Sequence, residues 1–194
     1  MQTPNEILVA TGNAHKLQEI QSILPAIKFK SLKDVGIDID ILEDGSSFEE
    51  NALKKAMAIA QLSDDMVLAD DSGLVVNALN GAPGIYSARY AGENASDTEN
   101  NKKLLKMLQG QLNRQAHFAC SLVLVHKTNV IFTGTGICEG NILETANGSG
   151  GFGYDPLFIP KGYNNTFANL GEEIKNKISH RAKAMQLLKS FLNT

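Results

Sequence analysis

Residues 7–25 read ILVATGNAHKLQEIQSILP, and this stretch decides the fold class. Ile7-Leu8-Val9-Ala10 is a short continuous apolar run, the pattern of a strand buried on both faces. Leu17, Ile20, Ile23 and Leu24 then recur at helical spacing, and Pro25 stops the helix. Strand, loop and helix in immediate succession predict an α/β unit.

The alternation continues outward. Ser47-Phe48-Glu49-Glu50 predicts a capping box, with Ser47 as N-cap and Glu50 at the third helical position. The helix it opens carries Ala52, Leu53, Ala56, Met57 and Ala60 as its apolar stripe. Glu49 is in phase with that stripe, which would point it inward, but a partly exposed helix-start acid is the commoner outcome. Met66-Val67-Leu68-Ala69 predicts another buried strand, with Leu74-Val75-Val76 close behind. A second capping box, Ser96 to Glu99, opens a helix with Leu104, Leu105 and Leu108 inward and Gly110 as its stop. Residues 116–126 and 129–138 predict two strands joined by a turn at 127–129, a β-hairpin. A glycine-rich segment follows, and the last element is a helix from about Ala182 with Met185, Leu188, Phe191 and Leu192 on one face. The expected class is α/β, a mixed, partly antiparallel sheet flanked by helices, in one domain over residues 1–194.

Composition bounds the function. Apolar residues make up 43 % and charged residues 20 % of 194, so the chain can bury a core without disulfides. Eighteen basic against 21 acidic side chains leave a net charge of −3, which excludes broad binding to nucleic acid or anionic membrane but not a phosphate ligand. Cys120 and Cys138 sit in apolar stretches without zinc-ligand spacing and are expected as buried free thiols. Residues 1–5 carry no basic leader region, and no stretch approaches the roughly 20 apolar residues of a membrane span. A cytoplasmic protein is the expectation.

Four constellations carry chemistry. Thr11-Gly12-Asn13-Ala14-His15-Lys16 lies between the first strand and the first helix, where backbone N–H groups and the positive helix end favour an anion. Plain capping by Asn13 is the alternative, but Lys16 in the first turn opposes the helix dipole, which favours an anion site. The loop is not a Walker A sequence. Asp70-Asp71-Ser72-Gly73 follows an apolar strand; adjacent carboxylates repel unless a cation or proton intervenes, and oxygen-only ligands suit Mg²⁺. An acidic turn is the plainer reading. Among the acids upstream, Glu43 or Asp44 can complete a metal site.

Gly148-Ser149-Gly150-Gly151-Phe152-Gly153-Tyr154-Asp155-Pro156 contains G-x-G-x-x-G, but extended chain follows instead of a helix, so the dinucleotide fingerprint is rejected. Its glycines permit close approach of a ligand, and Phe152 and Tyr154 offer flat faces to a base; a glycine-rich turn with core aromatics is the alternative. Lys175-Asn176-Lys177-Ile178-Ser179-His180-Arg181 precedes the final helix with Ser179 as its expected N-cap. Cations there run against the dipole, and Arg181 offers a donor fork. Together the four motifs point to a nucleotide handled with a divalent metal.

These motifs resemble the inosine/xanthosine triphosphate pyrophosphatases. The resemblance runs through Thr11-Gly12-Asn13 and Lys16, Phe48-Glu49-Glu50-Asn51-Ala52, Ala69-Asp70-Asp71-Ser72-Gly73-Leu74 and Gly81-Ala82-Pro83-Gly84-Ile85-Tyr86-Ser87-Ala88-Arg89. It continues through Gly151-Phe152-Gly153-Tyr154-Asp155-Pro156 and Ser179-His180-Arg181. Ile174 departs from it, standing where the family usually has an acid before the lysine matching Lys175.

The resemblance implies a two-lobed mixed sheet flanked by helices, an active-site cleft between the lobes, and a homodimer. It implies Mg²⁺-assisted hydrolysis of non-canonical purine nucleoside triphosphates (ITP, dITP, XTP) to the monophosphate and pyrophosphate. By position, Thr11, Gly12, Asn13, Ala14, His15 and Lys16 would hold the phosphates. Asp71 would be the general base and, with Glu43 and Asp70, a metal ligand; Ser72 would touch the substrate. Phe152, Gly153, Tyr154, Asp155, Lys175, His180 and Arg181 would surround the base, Arg181 donating to its 6-keto oxygen. The alternatives are a non-catalytic nucleotide-binding or sensing module, which does not need the paired acids, and a general phosphomonoesterase.

Overall fold

The computed structural model describes residue 4 and residues 6–193; the leader reading of residues 1–5 falls outside them apart from Pro4. The first α/β unit is β1 (Glu6–Val9), α1 (Ala14–Ile23) and β2 (Lys28–Lys30). Then come α2 (Phe48–Ala60), β3 (Met66–Val76), α3 (Asp97–Met107), β4 (Gln115–His126) and β5 (Asn129–Ile142). Last are β6 (Phe158–Pro160), α4 (Phe167–Ile178) and α5 (His180–Leu192). The sheet runs β2-β1-β3-β4-β5-β6. β1 pairs in parallel with β2 and β3, whereas β5 and β6 are antiparallel, so the sheet is mixed as expected.

By internal contacts the chain forms two compact units. The first comprises Met1–Asp71, Cys120–Gly136 and His180–Thr194; the second comprises Ser72–Ala119 and Ile137–Ser179. In the first unit strand alternation separates two cores. Ile7, Val9, Leu68, Leu122 and Leu124 pack with Ile20 of α1, with Leu24 just after it, and with Met185 and Leu188 of α5. Leu8, Val67, Ala69, Val123 and Val125 face Ala52, Ala56 and Ile59 of α2. A strand buried on both faces reads as a continuous apolar run, which is why 7–10 and 66–69 show no polar alternation. In the second unit Leu74, Leu104, Leu108, Tyr154 and Leu157 surround an aromatic group. There Phe118 meets Phe158 edge-on at 4.8 Å, and Phe158 stacks on Phe167 at 5.4 Å.

Several expectations change in detail. The stretches 66–69 and 74–76 are one strand, so Asp70-Asp71-Ser72-Gly73 lies inside β3 and is no turn. α4 was not anticipated: Phe167, Leu170, Ile174 and Ile178 do recur at helical spacing, but Gly171 at φ +77 interrupts the helix between them. Lys175 and Lys177 therefore occupy the last turn of a helix, where the dipole favours cations, and do not stand before a helix start. Ser179 is the one residue between α4 and α5, its N–H donating to Lys175 O, and α5 begins at His180. Ser96 and Glu99 form the full capping box, whereas Ser47 caps α2 alone while Glu50 accepts from Ser46. Both cysteines are buried free thiols, and burial pushes Cys120 up to about 12.

Gly136 ties β5 to the start of α5. A Cβ there would lie 2.1 Å from His180 O and 2.4 Å from Ala184 N, both backbone atoms that cannot rotate away. Gly136→Ala is therefore expected to lose about 1–3 kcal/mol, in the range of overpacked cores. A urea midpoint unchanged from wild type would contradict this packing.

Candidate active site

The first unit gathers charge around adjacent residues of β3. Successive side chains of a strand point to opposite faces, so Asp70 and Asp71 take different direct partners. Asp70 turns toward α1 and α5. It is fully buried, with Lys16 Nζ 3.1 Å and Arg181 Nη2 2.9 Å from Oδ2. The other amino group of the Arg181 fork bonds Glu19. Despite desolvation, Lys16 and Arg181 hold the Asp70 carboxyl well below the usual range, and Asp70 and Glu19 keep Arg181 charged. Asp70 Oδ1 is buried with no hydrogen-bond partner among the described residues.

Asp71 turns toward α2. Asn51 Nδ2 donates to its Oδ2 at 3.1 Å, and Lys55 Nζ stands 3.7 Å from its Oδ1 and 3.2 Å from Glu43 Oε1. Asn51 Oδ1 also accepts from Gly45 N at 2.8 Å, so one buried amide joins the Glu43 loop to Asp71. Burial, with Glu43 repulsion added, raises the Asp71 carboxyl above its ordinary value despite Lys55 and Lys16. The two neighbours thus split: Asp70 is an ion held in pairs, and Asp71 is a buried carboxyl raised above its ordinary value, a pattern that marks candidate functional sites.

Among the described residues no group of three or more His, Cys, Asp or Glu side chains could hold a metal by itself. Glu43 and Asp71 nevertheless fit Mg²⁺, which takes one or two carboxylates and completes its shell with phosphate and water oxygens. Asp70, expected as a third ligand, is directed to the other face of the strand and is tied to Lys16 and Arg181.

The loop before α1 caps itself. Asn13 Oδ1 accepts from His15 N and Lys16 N, and Asn13 N donates to Thr11 Oγ1. Gly12, Asn13, Ala14 and His15 are exposed around it. Lys16, unfavourable to the helix dipole, is explained by its pairing with Asp70.

In the second unit the glycine-rich loop closes on Asp155. Its carboxylate accepts from Phe152 N at 3.0 Å and from Lys175, which is buried with it. The Lys175 ammonium stands 4.4 Å from the centre of the Phe152 ring. A Cβ on Gly151 would meet Asp155 Oδ2 at 2.1 Å, so this closure requires glycine. Phe152 is half-buried, but Tyr154, expected to face a base, is a core residue whose hydroxyl donates to Ser87 O at 2.8 Å. Ser72 is half-buried on β3 in this unit.

Phe152, Gly153, Tyr154, Asp155 and Lys175 thus come together. His180 and Arg181, grouped with them by sequence, belong to the first unit, buried at the start of α5. Glu49 is exposed, the helix-start acid rather than the inward carboxylate. The inward polar residues of α2 are Asn51 and Lys55, and these, with Glu19, sequence reasoning missed. Their signal is spacing: Asn51 and Lys55 fall in phase with buried Ile59, where a stripe calls for apolar side chains.

Residues 7–191 match the family model described as the Ham1 family. The chain is 47 % identical to the dITP/XTP pyrophosphatase of Clostridium tetani over 193 residues, covering 97 % of this chain and 96 % of that protein. It is 48 % identical to the dITP/XTP pyrophosphatase of Geobacter sulfurreducens, covering 96 % of each. The solved structure of a HAM1 protein from Coxiella burnetii superposes with a TM-score of 0.89 at 40 % identity, covering 100 % of this chain and 99 % of that one. With the family model spanning nearly the whole chain and the same fold in a solved relative, this protein belongs to the Ham1 family.

Proposed function

We propose that this protein hydrolyses non-canonical purine nucleoside triphosphates (dITP, ITP and XTP) to the monophosphate and pyrophosphate. The observation that carries the reading is Asp71, a buried carboxyl raised above its ordinary range and oriented by Asn51 and Lys55. The printed activity of the Clostridium and Geobacter relatives supports the substrate class.

Asp71 takes a proton from the water that attacks the α-phosphorus, and pyrophosphate leaves. A raised carboxyl pKa brings the base closer to the operating pH, which favours that transfer. Lys55 holds Asp71 and Glu43 in register, and Lys16 presents a cation at the α1 N-terminus for the phosphate chain. Mg²⁺ held by Glu43 and Asp71 would neutralise phosphate charge. Arg181 holds Asp70 and Glu19 with the two amino groups of its fork. Residues 152–155 and Lys175 receive the purine, with Phe152 as the stacking face. A homodimer in the cytoplasm belongs to the same proposal and is supported by the motif resemblance; among the described residues no helix is long and apolar enough to cross a membrane.

The test is product analysis with dITP, ITP, XTP and the four common triphosphates. Pyrophosphate and monophosphate are expected from the first three, with Mg²⁺ required and EDTA abolishing turnover. Orthophosphate as the first product would point instead to a phosphomonoesterase, and binding without turnover to a sensing module.

A further inference from the structure

α3 holds the middle of the purine loop at both ends of one residue. Gly153 N donates to Asp97 Oδ2 at 2.6 Å, and Asn101 Nδ2 donates to Gly153 O at 3.0 Å. Asp97 and Asn101 are four apart, so they share one face of the helix. Gly153 lies between Phe152 and Tyr154 at φ +61, a left-handed conformation natural to glycine.

The grip is placed where ordering is costly. Gly148, Gly150, Gly151 and Gly153 give the segment large conformational freedom, which a ligand would otherwise have to remove on binding. The helix supplying the grip is firm. Ser96 and Glu99 close its first turn, and Leu104 and Leu108 are buried in the core of this unit. Asn100, next to Asn101, makes the corresponding pair of bonds to Ala91 N and Ala88 O. Consecutive asparagines thus anchor two separate loops to one helix. The Asp97 bond is charge-assisted, the stronger kind. Asn101 Oδ1 is buried with no partner among the described residues, so this edge of the loop is sheltered from water.

We propose that Asp97 and Asn101 are positioning residues of the purine subsite, fixing the Gly153 peptide so that Phe152 and Asp155 are set before substrate arrives. This rests on the reading of residues 152–155 as the purine loop. The clamp acts on purine affinity and leaves the phosphate-handling residues of the other unit untouched.

Asp97→Ala and Asn101→Ala are expected to raise KM for dITP about tenfold, with kcat within about twofold of wild type, the signature of lost uniform binding. Asp97→Asn, which keeps an acceptor for Gly153 N, should recover most of that loss. The inhibition constant of inorganic tripolyphosphate, a ligand with no base, should not move. Ser96→Ala removes the helix cap without touching Gly153 and should lower the melting temperature at unchanged KM. Unchanged KM in both alanine variants, a parallel rise for tripolyphosphate, or the same KM shift in Ser96→Ala would overturn the proposal. A wild type that neither binds nor hydrolyses dITP defeats the underlying reading. The clamp is then decided by amide exchange of residues 152–155 without ligand: faster in Asn101→Ala supports it, and unchanged overturns it.

Discussion

Asp71→Asn is expected to lower kcat by about 10² to 10⁴-fold, the usual contribution of a positioned general base. The amide keeps the shape of the carboxylate and can still accept from Asn51, so the fold should survive. Stability should move the opposite way to activity. Burial raises the Asp71 carboxyl above 3.8, so the folded chain binds its proton more tightly than the unfolded chain does. Below pH 3.8 both states are protonated and the group costs nothing. As pH climbs past that value the unfolded state ionises first, and the wild type carries a growing penalty that the asparagine variant lacks. The melting temperature of Asp71→Asn should therefore exceed wild type at neutral pH, with the gap closing on acidification. For the same reason the acidic limb of the wild-type kcat/KM profile should lie above the ordinary aspartate range. Near-normal turnover, or a loss of activity matched by loss of stability, would remove Asp71 from the chemistry.

Arg181→Met should cost about 3–5 kcal/mol of stability, the range for breaking a buried ion network by removing one partner. Methionine fills much of the volume but leaves Glu19 and fully buried Asp70 without the guanidinium. The loss should appear as a lower urea midpoint at an unchanged denaturant slope. Arg181→Met combined with Glu19→Gln should cost less than the sum of the single changes, because the partners act as one network. The pH dependence has a defined sign. Asp70 is held below its ordinary 3.8, so its contribution is present above that pH and lost as pH falls toward the folded value. The difference between wild type and Arg181→Met should shrink in the acid range. A cost under about 1 kcal/mol, the level of an exposed pair, would contradict this role for the arginine.

The α/β class, the capped helices and the hairpin were legible because each depends on local chemistry. Ile7-Leu8-Val9 is a short apolar run of strand length with a strand buried on both faces as its outcome, and Ser96 with Glu99 carries the local signature of a helix start. The closed glycine loop was legible in part. Gly151 and Asp155 are near in sequence, but Tyr154 is turned into the core by Ser87, a partner distant in the chain. α4 was lost to Gly171, whose backbone at positive φ divides the helix although Phe167, Leu170, Ile174 and Ile178 keep one stripe.

By itself the sequence determined which residues are chemically unusual: Lys16 at a helix start, Asp70 beside Asp71, and glycines around Phe152. Tertiary structure alone decided what each one faces. Adjacent Asp70 and Asp71 look like one acidic pair in a linear chain. The two-residue repeat of β3 sends one to Lys16 and Arg181 and the other to Asn51 and Lys55. Arg181 is 162 residues from Glu19, and no periodicity connects positions that far apart. Burial and long-range charge therefore hold the Asp70 carboxyl below its ordinary value and raise that of Asp71, although the two side chains are identical.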